Sequence, residues 1–295
     1  MRLNLLTTAL TVATGLAHAD PIHVVADIAP IHSLVAQVMN GVGTPDLLVP
    51  PGTEVHDLAL RPSDARKLAQ ANVVIWVGAE LTPWLTDPLE TLAPGAATLT
   101  LLQVPGWTPR PVAEGDHHST AHGGHIDPHA WLDPEISKFW VQSIRDTLST
   151  TDPDNAASYS ANADRALAGL SSLRSQIAAT LAEVPGGAWL APHDAFSYFA
   201  DRFDLPSGGA IASSDDQAPG PAHLAALRDK VVAGDITCVL SETNGPTEYA
   251  DVLIDGTTAR TAQIDDIGLA IEPGPQLYDT LLTGIATTLA DCIED

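Results

Sequence analysis

Eleven histidines are spread over the 295 residues, and their neighbours sort them into kinds. His129 stands in Ile126-Asp127-Pro128-His129-Ala130-Trp131-Leu132-Asp133-Pro134, locked between prolines, an aromatic and aliphatic side chains. His117, His118, His122 and His125 lie just before it among Gly, Ser and Thr, where the backbone is free to move. Two more occupy confined turns far away: His56 in Gly52-Thr53-Glu54-Val55-His56-Asp57 and His193 in Ala191-Pro192-His193-Asp194-Ala195-Phe196. A held imidazole is a good metal ligand, and three of them with one carboxylate fill the tetrahedral shell of Zn²⁺, with Zn–N near 2.0 Å. The carboxylate expected to join His56, His129 and His193 is Asp265. A filled shell suits carrying an ion rather than activating water on it.

Each of these residues also has a plainer use. Asp57, Asp133 and Asp194 sit beside the histidines and either orient imidazoles or cap helices. Asp194, at the head of an apparent helix, reads as a cap. His23, His32 and His223 fall within or beside regular elements and are left structural.

The elements that must position the ligands follow from apolar patterning. Short β-rich runs at Ile22–Ala26, Asp46–Pro50 and Asn72–Gly78 alternate with helical stretches, one from Ile31 to Met39 and one opening at Pro62 with Ser63 or Asp64 as its cap. The unbroken apolar run Val73-Val74-Ile75-Trp76-Val77 suits a strand of a parallel sheet buried on both faces. From Pro153 to about Glu183, Leu167, Leu170, Leu173, Ile177 and Leu181 recur at three- and four-residue steps, predicting one long amphipathic helix of roughly 45 Å. Strand–helix alternation resumes with Ala188–Ala191, a helix through Phe196, Phe199 and Phe203, strands at Ile236–Leu240 and before Asp265, and a last helix from about Pro275 to Cys292. The expected fold is therefore α/β: two lobes, each a mostly parallel sheet flanked by helices, joined by one long connecting helix. The expected boundaries are 20–150 for the first lobe, 151–184 for the linking helix and 185–295 for the second. No internal repeat is evident. In such sheets ligands gather beyond the carboxyl ends of strands, and His56, His129, His193 and Asp265 are each expected just past a strand or at a strand-like turn.

Composition narrows the class. Residues 1–19 carry Arg2, an apolar stretch from Leu3 to Leu16 and Ala17-His18-Ala19, the pattern of a cleaved signal peptide rather than a membrane anchor. No cysteine follows the cleavage site to take a lipid. The net charge of −24 opposes binding to nucleic acid or to anionic membrane surfaces. Cys238 and Cys292 are the only cysteines. In an oxidising compartment they are expected to form one disulfide, stabilising by about 4 kcal/mol on the chain-entropy model. Their spacing matches no thiolate zinc motif.

Taken together these segments resemble the periplasmic metal-binding proteins of ABC importers, most closely the zinc-specific ZnuA-like branch. The likeness covers essentially the whole mature chain. It is carried by Pro51-Gly52-Thr53-Glu54-Val55-His56-Asp57, by Pro62 to Trp84 with Gly78-Ala79-Glu80, by Asp127 to Pro134, by His193-Asp194-Ala195-Phe196-Ser197-Tyr198-Phe199 and by the Ile264-Asp265 turn. The resemblance implies two α/β lobes joined by a long helix with metal in the cleft. It makes His56, His129 and His193 the imidazole ligands, and Asp265 the carboxylate. Manganese-type relatives tend to have a carboxylate at the third position, so His193 favours zinc. The usual Asp-Pro-Leu-Gly turn reads Asp265-Asp266-Ile267-Gly268 here, which is why Asp266 competes for the fourth place, with Glu242 as a further competitor approaching the cleft. The histidine-rich run corresponds to a variable loop of zinc-specific relatives and implies weak secondary binding.

The expected function is then high-affinity periplasmic capture of Zn²⁺ and its delivery to an ABC membrane permease, by a monomer that does not insert in the membrane and is not an enzyme. A zinc-donating metallochaperone is a further expected partner. The alternatives are a manganese or iron importer subunit, an adhesin on the same scaffold and a zinc hydrolase using Glu54 or Glu242 as base. The hydrolase lacks supporting motifs, there being no His-Glu-x-x-His and no Gly-x-Ser-x-Gly.

Overall fold

The computed structural model describes residues 22–53, 55–56, 58–111, 126–182, 184, 186–212, 218–243 and 245–293. The first part of the chain runs β1 (Val24–Ala26), α1 (Ala29–Val38), β2 (Asp46–Leu47), α2 (Pro62–Gln70), β3 (Val73–Trp76), α3 (Thr86–Leu92) and β4 (Ala97–Thr100). Then come α4 (Pro134–Thr151) and α5 (Ala156–Leu181). The last part runs β5 (Ala188–Ala191), α6 (Ser197–Arg202), β6 (Ser207–Ala210), α7 (Pro221–Ala233), β7 (Ile236–Glu242), α8 (Glu248–Ile254), β8 (Arg260–Ile264) and α9 (Leu277–Ile293).

Two four-stranded sheets result, in the orders β2-β1-β3-β4 and β6-β5-β7-β8, and every pairing in both is parallel. Each sheet reverses its winding once, between β1 and β3 and again between β5 and β7. A crevice opens beyond the strand ends at such a point. Side chains alternate across each strand, and the central strands β1, β3, β5 and β7 are covered on both faces. Val24, Ala26, Val73 and Ile75 point into one core that continues through α1, α4, α5 and α9 to Cys238 and Leu240 of the other sheet. Val25 and Val74 pack outward with Leu68 and Leu89, and Leu190 and Val239 outward with Leu227 and Val231. This double coverage is why the strands read as unbroken apolar runs.

The long helix is shorter than the sequence pattern predicts. Pro153–Asn155 form a single 3-10 turn, and α5 itself has 26 residues, about 39 Å. Its buried stripe, Tyr159, Ala163, Ala166, Leu170, Leu173, Ile177 and Leu181, packs against α1, α4 and α9, so it lies between the sheets rather than spanning open space. The cap expected at α2 is also corrected. Pro62 takes the first helical turn and Arg61 the cap position, with no side chain capping. Asp64 accepts instead from Arg61 Nε at 2.9 Å. Cys238 and Cys292 form a disulfide that ties β7 to the end of α9. Among the described residues no helix is long and apolar enough to cross a membrane. The expected signal peptide lies outside the described residues.

α9 also closes the seam between the two halves. The Tyr278 backbone N–H donates to Ser33 Oγ on α1, its hydroxyl donates to the Trp131 carbonyl, and the same hydroxyl lies 2.8 Å from Ser137 Oγ on α4.

Candidate metal centre

Every described candidate ligand is reached through a loop that leaves a strand end or a tight turn, and each is braced from behind. His193 follows β5 by two residues and is 2% exposed. Glu242 is the last residue of β7, the parallel neighbour of β5. Strand adjacency therefore brings together two residues 49 apart in sequence, with His193 Nδ1 2.7 Å from Glu242 Oε1. A carboxylate has no proton to give at neutral pH, so Nδ1 carries the hydrogen and donates it.

Among the described residues a single antiparallel bridge, Pro111 to Ile126, leads into the loop holding His129, and a 3-10 turn, Ala130–Leu132, leads out to α4. Asp127 Oδ1 accepts from both the backbone N–H (3.0 Å) and the ring Nδ1 (2.8 Å) of His129. Asp127 is held in turn by Tyr198, whose hydroxyl donates to the Asp127 carbonyl at 3.1 Å and accepts from the Arg110 N–H at 2.9 Å. Burial pushes the Tyr198 phenol up to about 12, so the donor proton stays on.

His56 is half-buried in the turn after β2. Its Nδ1 donates to the Leu81 carbonyl at 3.0 Å, and Trp84 Nε1 donates to the carbonyl of the preceding Val55 at 2.8 Å. All three imidazoles thus spend Nδ1–H on a protein acceptor, which fixes the tautomer and directs the Nε2 lone pair to any metal.

The rings converge. The His129 and His193 centroids are 5.4 Å apart, and those of His56 and His129 6.2 Å. Among the described residues, His129, His193 and Asp266 each present a donor atom within 4.8 Å of the others'. The carboxylate in that group is Asp266, one residue beyond the Asp265 expected from sequence. Asp265 Oδ1 accepts from the backbone N–H groups of Ile267 (3.0 Å) and Gly268 (2.7 Å), closing the turn after β8 on itself. Gly268 has φ +87°, which the turn needs and a side chain would resist. Asp266 is presented from the apex of that turn.

Two neighbouring carboxylates have structural uses. Asp133 Oδ1 caps α4 through the Glu135 N–H at 2.8 Å, and both its oxygens take the two arms of Arg202 at 2.8 and 2.7 Å. Asp194 is not the helix cap expected; Phe196 occupies the cap position of α6, and Asp194 accepts from the Ser197 hydroxyl at 2.9 Å. His32 and His223 donate through Nε2 to the Pro45 and Ala210 carbonyls. Glu54, Asp57 and the run His117, His118, His122 and His125 lie outside the described residues.

Sequence reasoning passed over Asp127 as a brace, although the Asp-x-His spacing was visible. It also passed over the Leu81 carbonyl and the Trp84 indole, which only the fold brings near, and the Trp131 indole two residues from His129.

Comparison with known proteins adds a family. The profile of the family described as zinc-uptake complex component A, periplasmic (ZnuA) matches residues 24–292. A relative from Paracoccus denitrificans, named high-affinity zinc uptake system protein ZnuA, is 35% identical over 98% of this chain and 97% of its own length. A crystal structure of ZnuA superposes with a TM-score of 0.80 at 22% identity, covering 92% of this chain and 99% of its own. A manganese-bound periplasmic metal-binding protein from Candidatus Liberibacter asiaticus reaches 0.76 at 20% identity, covering 92% and 98%. The fold is therefore shared both with this manganese-bound protein and with a zinc-bound deletion mutant of ZnuA, which superposes with a TM-score of 0.80 at 20% identity.

Proposed function

The chain belongs to the family of periplasmic zinc-uptake component A proteins, and we propose that it captures Zn²⁺ in the cleft between its lobes and hands it to an ABC-type membrane permease. The observation that carries the reading is the bracing of Nδ1 in all three histidines. Leu81, Asp127 and Glu242 accept those protons, so His56, His129 and His193 act through Nε2. Asp266 takes the place first given to Asp265. Three nitrogen donors and one oxygen suit Zn²⁺ better than manganese, which prefers more oxygen. With His56 brought in as the fourth donor, the shell has no position for an activated water, so the reading is a carrier rather than a hydrolase.

The finer parts follow the same reading. Residues 1–19 direct export and are removed, and the mature protein works as a monomer. His117, His118, His122 and His125 collect zinc weakly, or accept it from a donor chaperone, and pass it to the cleft. Deleting residues 116 to 125 should slow zinc acquisition under limitation or from a donor protein; unchanged acquisition in both settings refutes that role.

The central test is metal content and chelator-competition affinity of the mature protein beside His56→Ala, His129→Ala, His193→Ala and Asp266→Ala. Each imidazole variant should lose at least about a hundredfold in zinc affinity, since one of four ligands is gone. Retention of wild-type affinity by His129→Ala or His193→Ala defeats the reading. Protons compete for the imidazoles, so affinity should fall as pH drops from about 7.5 to about 5.5. A flat profile counts equally against it.

A further inference from the structure

The geometry points to Trp131 as a positioning residue that holds Asp266 in place against His129 and so sets the preference of the site among divalent cations. The inference rests on the metal-carrier reading above and deepens it.

Trp131 is 1% exposed and sits in the 3-10 turn that follows His129, its ring centroid 5.1 Å from the imidazole. Its Nε1–H donates across the seam to the backbone carbonyl of Asp266 at 2.7 Å, joining residues 135 apart. Its own carbonyl accepts from the Tyr278 hydroxyl at 2.7 Å, so the platform is itself anchored to α9. The turn it grips is closed from the inside by Asp265, whose Oδ1 takes the N–H groups of Ile267 and Gly268. Asp266 is thus clasped on two sides by groups that need touch no metal. One indole carries both a wall of His129 and the grip on the backbone of Asp266, which ties the turn bearing a nitrogen donor of one half to the turn bearing the oxygen donor of the other.

A fixed carboxylate offers one oxygen along one direction, which suits a four-coordinate ion. A loosened one can turn to offer both oxygens, raising the oxygen count and the coordination number. That change favours harder ions that accept six or more ligands. Removing the indole N–H should therefore cost zinc more than manganese.

The test is chelator-competition titration of the mature full chain with Zn²⁺ and, separately, Mn²⁺, for wild type, Trp131→Phe, Asp266→Ala and the double variant. Trp131→Phe should weaken zinc binding about tenfold, at the lower end of what loss of an outer partner costs. Manganese should weaken by less than about threefold, so the zinc-to-manganese ratio falls. In the Asp266→Ala background the same substitution should have almost no effect, because the group it positions is gone. An equal effect with and without Asp266, or an unchanged zinc-to-manganese ratio, overturns the inference. Should Trp131→Phe fail to fold, Asp265→Ala, which opens the inner clasp without touching the indole, must give the same fall in ratio or the inference fails. Failure here is separable from failure of the carrier reading. If His129→Ala destroys zinc binding while Trp131→Phe leaves affinity and ratio intact, only the role of Trp131 is lost.

Discussion

Replacing Glu242 separates two roles a carboxylate at the end of β7 can have. As a brace, it accepts the Nδ1 proton of His193 over 2.7 Å; as a ligand, it would touch the ion itself. The His193 side chain is 3% exposed and that of Glu242 32%, so the bond is buried on one side and wet on the other. A hydrogen bond to a charged group contributes roughly 1.5–3 kcal/mol. Solvent at the carboxylate screens part of this and brings the brace to about 1–2 kcal/mol. Metal binding draws charge from the imidazole and strengthens the bond, so most of the effect should appear in the loaded state. Glu242→Gln keeps an oxygen acceptor but loses the charge, and should weaken zinc binding by about tenfold, one decade being 1.4 kcal/mol. Glu242→Ala strands the Nδ1 proton and should cost between about tenfold and a hundredfold. Both variants should still bind a full complement at saturating zinc. Chelator competition at pH 7.5, read beside His193→Ala, measures these losses. If Glu242→Gln abolishes binding as completely as His193→Ala, Glu242 is a ligand; if Glu242→Ala stays within about threefold of wild type, the brace has no thermodynamic weight.

Asp27 is fully buried, and burial raises its carboxyl from 3.8 to about 7 despite hydrogen bonds from the Val77 and Ile28 N–H groups. The unfolded chain ionises near pH 4 and the folded one near 7, so the cost of folding with a buried charge grows between those values and reaches about 4 kcal/mol above them. Relative to Asp27→Asn, wild type should lose melting temperature as pH rises from 5 to 8, whatever fixed offset the amide brings; a pH-independent difference refutes this. Replacing both Cys238 and Cys292 by alanine frees a 54-residue separation and should lower stability by about 4 kcal/mol in denaturant titration, with zinc affinity at saturation of folding little changed. Arg202→Met leaves the buried Asp133 carboxylate without its bidentate partner, and with Arg202 a third exposed should cost about 1–3 kcal/mol, readable as a shift in the urea midpoint.

The sequence is most legible where local chemistry decides. Apolar runs buried on two faces announce β3 and β7, the three- and four-residue steps from Leu170 to Leu181 announce α5, and prolines fence in His129. It is least legible where one strand must know its neighbour. Nothing near His193 hints at Glu242, because only the parallel pairing of β5 with β7 makes them adjacent. The choice between Asp265 and Asp266 turns on which carboxylate closes its own turn, a matter of backbone N–H direction that two adjacent aspartates do not reveal. The shared strand order of the two sheets is likewise a repeat of topology, not of residues, and so left no mark to read.

The bonds of Tyr278 to Ser33 and Trp131 have a consequence for biogenesis. Synthesis delivers the chain from its beginning, so Ser33 and Trp131 arrive well before Tyr278, and the flank of α1 and α5 that α9 covers stays exposed until then. Until α9 docks, that flank is open to proteases and to other unfinished chains, which makes the last two dozen residues the step that commits the molecule to its native state. A ribosome stalled short of them would release a product with all the residues of β1 to β8 and little protection.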